Sequence, residues 1–187
     1  MVISHVTSWI FKATPYIVFA STIVAAIITP VLTTKAPFGI MGDVIALIYI
    51  LATGRFFMAL AGLDAGTSFG GEGSSREMAV AILVEPMMML SIFTAAISVG
   101  STNIARIAEA QGMVYSPSHL LALSAFVIAI IAETGRIPVD NPDTHLELTM
   151  IHEGMVLEYS GRYLAFMEWA HYVKQMVLFT LTMDIFF

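Results

Sequence analysis

The sequence predicts an all-α integral membrane protein of about five transmembrane helices, with one short interfacial helix in a long acidic loop. Three observations carry this. Hydrophobic residues make up 58% of the 187 and mean hydropathy is +0.84. Only 12% are charged, about half the share in a soluble domain. The apolar residues also gather into five segments near the ~20 residues that a bilayer crossing needs. Eight Lys and Arg, 14 Asp and Glu and 5 His are too few to cover a soluble globule of this size, so lipid must be the solvent for most of the surface. This excludes a disordered chain, a nucleic-acid binder and an ordinary soluble enzyme. The net charge of −6, with no Lys/Arg run, argues against a polybasic surface. With no cysteine there is no disulfide framework, no thiol catalysis and no Cys-ligated cluster or zinc. The first apolar segment follows a polar amphipathic start and is long enough to span, so no removable signal peptide is read.

The first span is expected from Pro15 to Leu32. Pro15 falls in the first turn, where its missing N–H is harmless, and Pro30 lies near the exit. The second runs from Ile40 to Leu63 and the third from Glu77 to Val99. The fourth runs from His119 to Arg136 and the fifth from Tyr163 to Phe187. The run Gly70-Gly71-Glu72-Gly73-Ser74-Ser75 precedes the third span. It lacks a P-loop lysine and reads as a turn or cap, with Ser74 or Ser75 a good N-cap residue. Between Leu146 and Leu157, apolar residues at helical spacing alternate with acids and predict the interfacial helix. No repeat or low-complexity linker divides the chain, so residues 1–187 read as one transmembrane domain.

Alternation puts the N-terminal stretch and the loops Asp64–Arg76 and Ile137–Arg162 on one side. Lys12, Arg76, Arg136 and Arg162 lie there, against Lys35 and Arg106 on the other. The positive-inside rule makes the first side cytoplasmic. The acidic loop holds Asp140, Asp143, Glu147, Glu153 and Glu158 with His145 and His152. It suits packing on protein or lining a watery cavity better than binding anionic lipid.

Ionisable groups inside spans are costly, about 2.5–3.5 kcal/mol each on insertion scales, and mark function by default. Arg55 lies roughly 13 Å in from Asp64, and Glu85, followed by Pro86, lies roughly 12 Å past Glu77. Glu133 sits one turn before Arg136. Glu168, His171 and Lys174 recur every third residue on the last span, with Gln175 beside them, which places them on one face. Such depth requires a partner for Lys174, with Glu168 or Glu85 the candidates. Arg55–Glu85 and Glu168–Lys174 pairs that merely hold helices together are the plain alternative. Apolar replacement of buried pairs is often neutral or stabilising, so the set as a whole favours an ion path. Carboxylates, His and Lys can be tuned to such work by burial and neighbours.

Other constellations fail. His152-Glu153 opens like a zinc-protease helix, but position 156 is Val156. His145 and His152 stand two turns apart, with polar-face histidines favoured over a metal site. No nucleophilic triad is present, so the chain is not a stand-alone catalyst.

Two stretches carry a family signal. One runs from Glu133 through Thr-Gly-Arg-Ile-Pro-Val-Asp-Asn-Pro-Asp-Thr-His-Leu-Glu-Leu-Thr-Met-Ile-His-Glu to Leu157-Glu158-Tyr159-Ser160-Gly161-Arg162. The other runs from Arg55-Phe-Phe-Met-Ala-Leu-Ala-Gly-Leu-Asp through Phe69-Gly-Gly-Glu-Gly-Ser-Ser-Arg-Glu-Met to Glu85-Pro86. Both resemble the membrane subunit shared by respiratory complex I and the energy-converting (group 4) NiFe hydrogenases, the NADH dehydrogenase subunit 1 family. The resemblance is nearest to its formate hydrogenlyase subunit 4 and hydrogenase-4 component C branch. It covers nearly the whole chain. Members have about eight spans, so the resemblance implies that the first span and last two are absent here, as in a fragment or a split subunit. The stretch from Glu147 to Glu158 is longer by about one turn than in the complex I branch, where this loop surrounds the quinone headgroup, which argues against quinone chemistry.

The resemblance implies a subunit with no redox centre of its own, set in a cell membrane as the foot of a peripheral arm. The NiFe centre and iron–sulfur clusters would reside in partner subunits, the hydrogenase large subunit and the iron–sulfur small subunit. Antiporter-like membrane subunits and lipid are the other neighbours. Glu85, Glu133, Glu147 and Glu158 match the family's acids. Glu153, Glu168, His171 and Lys174 join the expected ion-path set. Arg55, Arg76, Arg136, Asp140, Asp143, His145, His152 and Arg162 form the expected set for loop structure and arm docking. The function implied is coupling of electron transfer in the arm to H+ or Na+ translocation. A quinone-site complex I subunit and a purely structural anchor are the alternatives.

Overall fold

A computed structural model describes residues 7–30, 42–110, 116–140 and 151–187. Among them are seven helices and no strand: α1 (Trp9–Ile28), α2 (Val44–Asp64), α3 (Ser68–Val99), α4 (Ile104–Glu109), α5 (Pro117–Glu133), α6 (His152–Val156) and α7 (Arg162–Phe186). The protein is all-α. By length and composition α1, α2 and α3 can each cross a membrane, while α5 is a shorter apolar helix of 17 residues. The 25-residue α7 is long enough but carries Glu168, His171, Lys174 and Asp184. Large apolar side chains such as Tyr49, Leu83, Ile97 and Leu121 point outward, as a lipid-facing surface requires.

The helix starts follow their caps. Ser8 accepts from the Ile10 N–H and begins α1 six residues before Pro15, so Pro15 lies inside the helix and not in its first turn. A proline there leaves the carbonyl four residues back without its helical donor. That carbonyl belongs to Phe11, and the Tyr159 hydroxyl donates to it at 2.7 Å, with the two rings stacked 4.1 Å apart. After Ile28 the Thr29 N–H returns to Ala25, and Pro30 cannot extend the helix. The second span starts at Val44 because Asp43 caps it, accepting from Ile45 N–H at 2.7 Å. Asp43 also accepts from Thr102 Oγ1 at 2.6 Å.

The largest departure from expectation is in α3. It starts at Ser68 under a Thr67 cap, so the glycine-rich run is helix interior, and neither Ser74 nor Ser75 caps it. Close packing explains the glycines. A Cβ on Gly73 would come 2.9 Å from the Ile151 carbonyl, and one on Gly70 would collide with the Gly62 carbonyl. Ser74 is buried and donates to Gly70 and Ala59 carbonyls. The helix has 32 residues, about 48 Å at 1.5 Å per residue, and so extends beyond a ~30 Å hydrocarbon core. At the other end of the bundle α4, not foreseen, is capped by Asn103. Helix α5, where the fourth span is expected, ends at Glu133, short of Arg136, and Gly135 turns the chain at φ 57°. Of the expected interfacial helix, α6 is the described part, and Leu146–Met150 lie outside the described residues.

Helix α1 packs on α2 and α7, and α3 packs on α2, α5 and α6. Two apolar cores result. One joins Phe11, Val18, Ala61, Tyr159, Tyr163 and Met167. The other joins Leu47, Leu51, Met88, Ile92, Phe126 and Leu178. Along the sequence, Arg55 lies between the α2 contributions to the two cores, and Lys174 between those of α7.

Candidate functional site

Helices α2, α3, α5, α6 and α7 deliver the polar groups of the site. Arg55 of α2 is the centre, its side chain 8% exposed. Nη1 donates to Glu85 Oε1 at 2.8 Å, Nε lies 3.4 Å from Glu77 Oε1, and Nη2 pairs with Glu133 Oε2. Glu77 and Glu85 are eight residues apart on α3, about two turns, so both reach the same guanidinium. Lys174 of α7 then donates to the Glu133 backbone carbonyl at 3.0 Å and to Glu133 Oε1 at 3.4 Å. Glu133 thus bridges both cations, and three carboxylates face two positive charges. The guanidinium fork suits this role because its donors diverge in one plane.

Arg55, Glu77, Glu133 and Lys174 line a chamber of about 50 Å³, room for a few waters. His152 and His171 also line it, their ring centroids 4.8 Å apart. Burial, then the nearby His171 and Lys174, push His152 down to about 3. His171 contacts Gln175 at 2.9 Å, and Gln175 Oε1 accepts from Arg136 Nη2 at 3.5 Å. Asp140 is buried, and its Oδ2 accepts the N–H groups of Ile151 and His152 at 3.2 and 3.1 Å. It anchors the start of α6 beside the chamber. Outside the chamber a wider cleft of about 600 Å³ is lined by Arg136, Glu153, Glu168 and Gln175, among others.

The structure therefore joins Glu85, Glu133 and Lys174 through Arg55. Arg55, expected among the residues for loop structure and docking and also as a partner of Glu85, is the buried hub and does pair with Glu85, because an interior cation can neutralise acids from two other helices. Lys174 finds Glu133, and neither Glu168 nor Glu85 as expected: Glu168 lines the outer cleft and Glu85 pairs with Arg55. His171, His152, Arg136 and Asp140 form the chamber wall and its supports. Glu153 opens on the cleft. Glu158 is exposed. Arg76 pairs with Glu72 at 3.6 Å on the surface of α3. Exposed Arg162 donates to the Tyr163 hydroxyl at 3.4 Å and lies over its ring. Asp143, His145 and Glu147 lie outside the described residues. Glu77, expected only as a span boundary, is a full member of the network. Its spacing from Glu85 is the signal for this in the sequence, and the early start of α3 hides it. No metal-binding group of three or more His, Asp and Glu occurs among the described residues.

The family described as NADH dehydrogenase matches the chain over residues 1–187. Hydrogenase-4 component C of Escherichia coli K12 is 42% identical over 178 residues, covering 94% of this chain and 56% of that protein. Formate hydrogenlyase subunit 4 of the same organism is 37% identical over 183 residues, covering 96% and 59%. A subunit of the NADH-quinone oxidoreductase of Thermomicrobium roseum is 30% identical over 197 aligned positions, covering 95% and 57%. The chain thus spans somewhat under three-fifths of the length of these relatives.

Proposed function

The chain belongs to the NADH dehydrogenase family, and from that premise we propose that it is the anchoring and coupling membrane subunit of a multisubunit energy-converting NiFe hydrogenase. It links electron transfer in a peripheral arm, which holds the NiFe centre and iron–sulfur clusters, to translocation of H+ or Na+. The identities to hydrogenase-4 component C and formate hydrogenlyase subunit 4, above that to the quinone oxidoreductase relative, support this branch.

The observation that carries the reading is the ion-pair network of Arg55, Glu77, Glu85, Glu133 and Lys174, built around the buried side chains of Arg55 and Glu133. Packing alone does not favour it, because apolar side chains of similar volume hold helices together as well or better. A network with one carboxylate more than it has cations can exchange a proton or cation as nearby charge changes. Helix α6 and Asp140, at the end where the arm would dock, are the parts of the chain that would convey such a change to the chamber.

The test uses the assembled complex in inverted vesicles. Glu133→Gln and Glu85→Gln are expected to leave hydrogen evolution measurable while ion uptake falls by roughly tenfold or more. Unchanged uptake in both variants would leave only a structural anchor. Nickel in a partner subunit, with turnover independent of added quinone, is expected, and quinone-dependent turnover would favour the complex I reading.

A further inference from the structure

The chamber and the outer cleft share a wall. Gly135, Asp140, His152 and His171 line both. Arg55, Glu77, Glu133 and Lys174 line only the chamber, while Glu153, Glu168 and Gln175 line only the cleft. Within the wall, Asp140 Oδ2 accepts from two backbone N–H groups, and its buried Oδ1 has no hydrogen-bond partner among the described residues. The two imidazoles are the other polar side chains of the wall. They lie against each other at 4.8 Å with an interplanar angle of 41°. His152 Nε2 is buried and has no hydrogen-bond partner among the described residues.

The polarity of His171 follows from its neighbours. Arg136 can only donate, so Gln175 Oε1 accepts from it and Gln175 Nε2 must donate. The atom 2.9 Å away, His171 Nε2, therefore accepts, and the neutral ring carries its proton on Nδ1. Gln175 is thus a positioning residue that holds His171 in one tautomer.

We infer that His152 and His171 are a proton-transfer pair joining the open cleft to the buried ion-pair chamber, so the species the chamber exchanges through this wall is H+ and not Na+. This deepens the proposed coupling function and rests on it. A hard cation is held by oxygen ligands, whereas imidazole nitrogen suits softer metals or a proton. A proton from the cleft enters at His171 Nε2 by displacing the Gln175 N–H, and the ring gives up its Nδ1 proton. His152 likewise takes a proton on one nitrogen and releases one from the other to the chamber. One proton crosses and no bond between heavy atoms changes. Each neutral ring is left in the opposite tautomer, and a ring flip restores the resting one before the next proton. The charged groups that share the two cavities with the pair are Arg55 from α2, Glu77 from α3, Glu133 from α5, Arg136 and Asp140 from the turn that follows it, Glu153 from α6, and Glu168 and Lys174 from α7. Burial beside Lys174 keeps the His152 ring neutral at rest, so charge occupies it only in transit.

Inverted vesicles carrying the whole complex in sodium-free medium should still acidify. His171→Gln keeps a polar group but cannot titrate, and acidification should fall about tenfold or more. His171→Ala should lose it equally and regain it when imidazole is added, a rescue that a structural role would not give. Wild-type acidification in His171→Gln, no imidazole rescue, or uptake of radioactive sodium in place of protons would overturn the inference. If the wild-type complex moves no ion at all, the coupling function falls, and the wall is judged by a second measurement. The chain has no cysteine, so Thr22→Cys places a single thiol in the chamber. A small charged methanethiosulfonate should modify it only when His152 and His171 are both replaced by alanine. Equal modification with the two rings intact would overturn the wall.

Discussion

Arg55 shows how much depends on one side chain. Three carboxylates converge on it from α3 and α5, and its removal strands them in a low-dielectric interior. Arg55→Met is expected to destabilise the protein by about 3–5 kcal/mol, read as a lower thermal midpoint of the purified complex. Arg55→Lys should recover only part, since a single ammonium cannot reach three acceptors in the way a planar fork does. A wild-type midpoint in Arg55→Met would mean that the acids are already neutralised without it. His152 supplies the residue-scale pH dependence. Its folded value of about 3 lies below the ordinary 6.5, so between these limits the unfolded chain binds a proton that the folded one refuses. Its contribution to stability is complete above pH 6.5 and is lost as pH falls toward 3, with a slope of up to about 1.4 kcal/mol per pH unit. Acid denaturation curves of the complex should therefore flatten in this window for His152→Gln, and identical curves would refute the assignment.

At the scale of elements, the hydroxyl of Tyr159 repairs a fault that Pro15 makes in α1. Tyr159→Phe removes the donor and leaves a buried carbonyl unpaired, an expected loss of about 1–3 kcal/mol. Pro15→Ala restores the helical N–H to Phe11, so Tyr159→Phe should cost less in that background. A double-mutant cycle on thermal stability checks this, and strict additivity would separate the two features. Helix α3 illustrates a related logic. Its glycines, poor helix formers in isolation, are kept helical because Gly62, Gly70 and Gly73 let α2, α3 and the start of α6 approach at backbone distance. That contact also carries Glu77 into α3 and aims it at Arg55.

At the scale of the molecule the bundle has two distinct ends. Ser8 donates to Asp64 at one, near α6, while Asp43 meets Thr102 and Asn103 at the other. The distribution of Lys and Arg predicts that the first end faces the cytoplasm. Glu158→Cys, exposed near the first end, should react with a membrane-impermeant maleimide only from the cytoplasmic face when the arm is stripped away. Ser101→Cys should react only from the opposite face, and the reverse pattern would invert the orientation.

The all-α membrane class was legible in the sequence by itself, because hydropathy, span length and scarcity of charge are composition-level consequences of a lipid solvent. So was the family, carried by the stretches from Arg55 to Glu85 and from Glu133 to Arg162. Arg55, Glu85, Glu133 and Lys174 could be picked out as charges costly to bury, but Glu77 could not. What the sequence could not decide was which of those groups meet. Lys174 has acids at several distances along the chain, but helix rotation and crossing direct it to Glu133, and no spacing rule within one helix contains that information. The same holds for His152 and His171, 19 positions apart on α6 and α7, and for Glu77, which only the close approach of glycine backbones brings into the chamber. Local patterning sets where helices form and which face is costly to expose. Pairing between helices depends on packing distances that only the tertiary structure supplies.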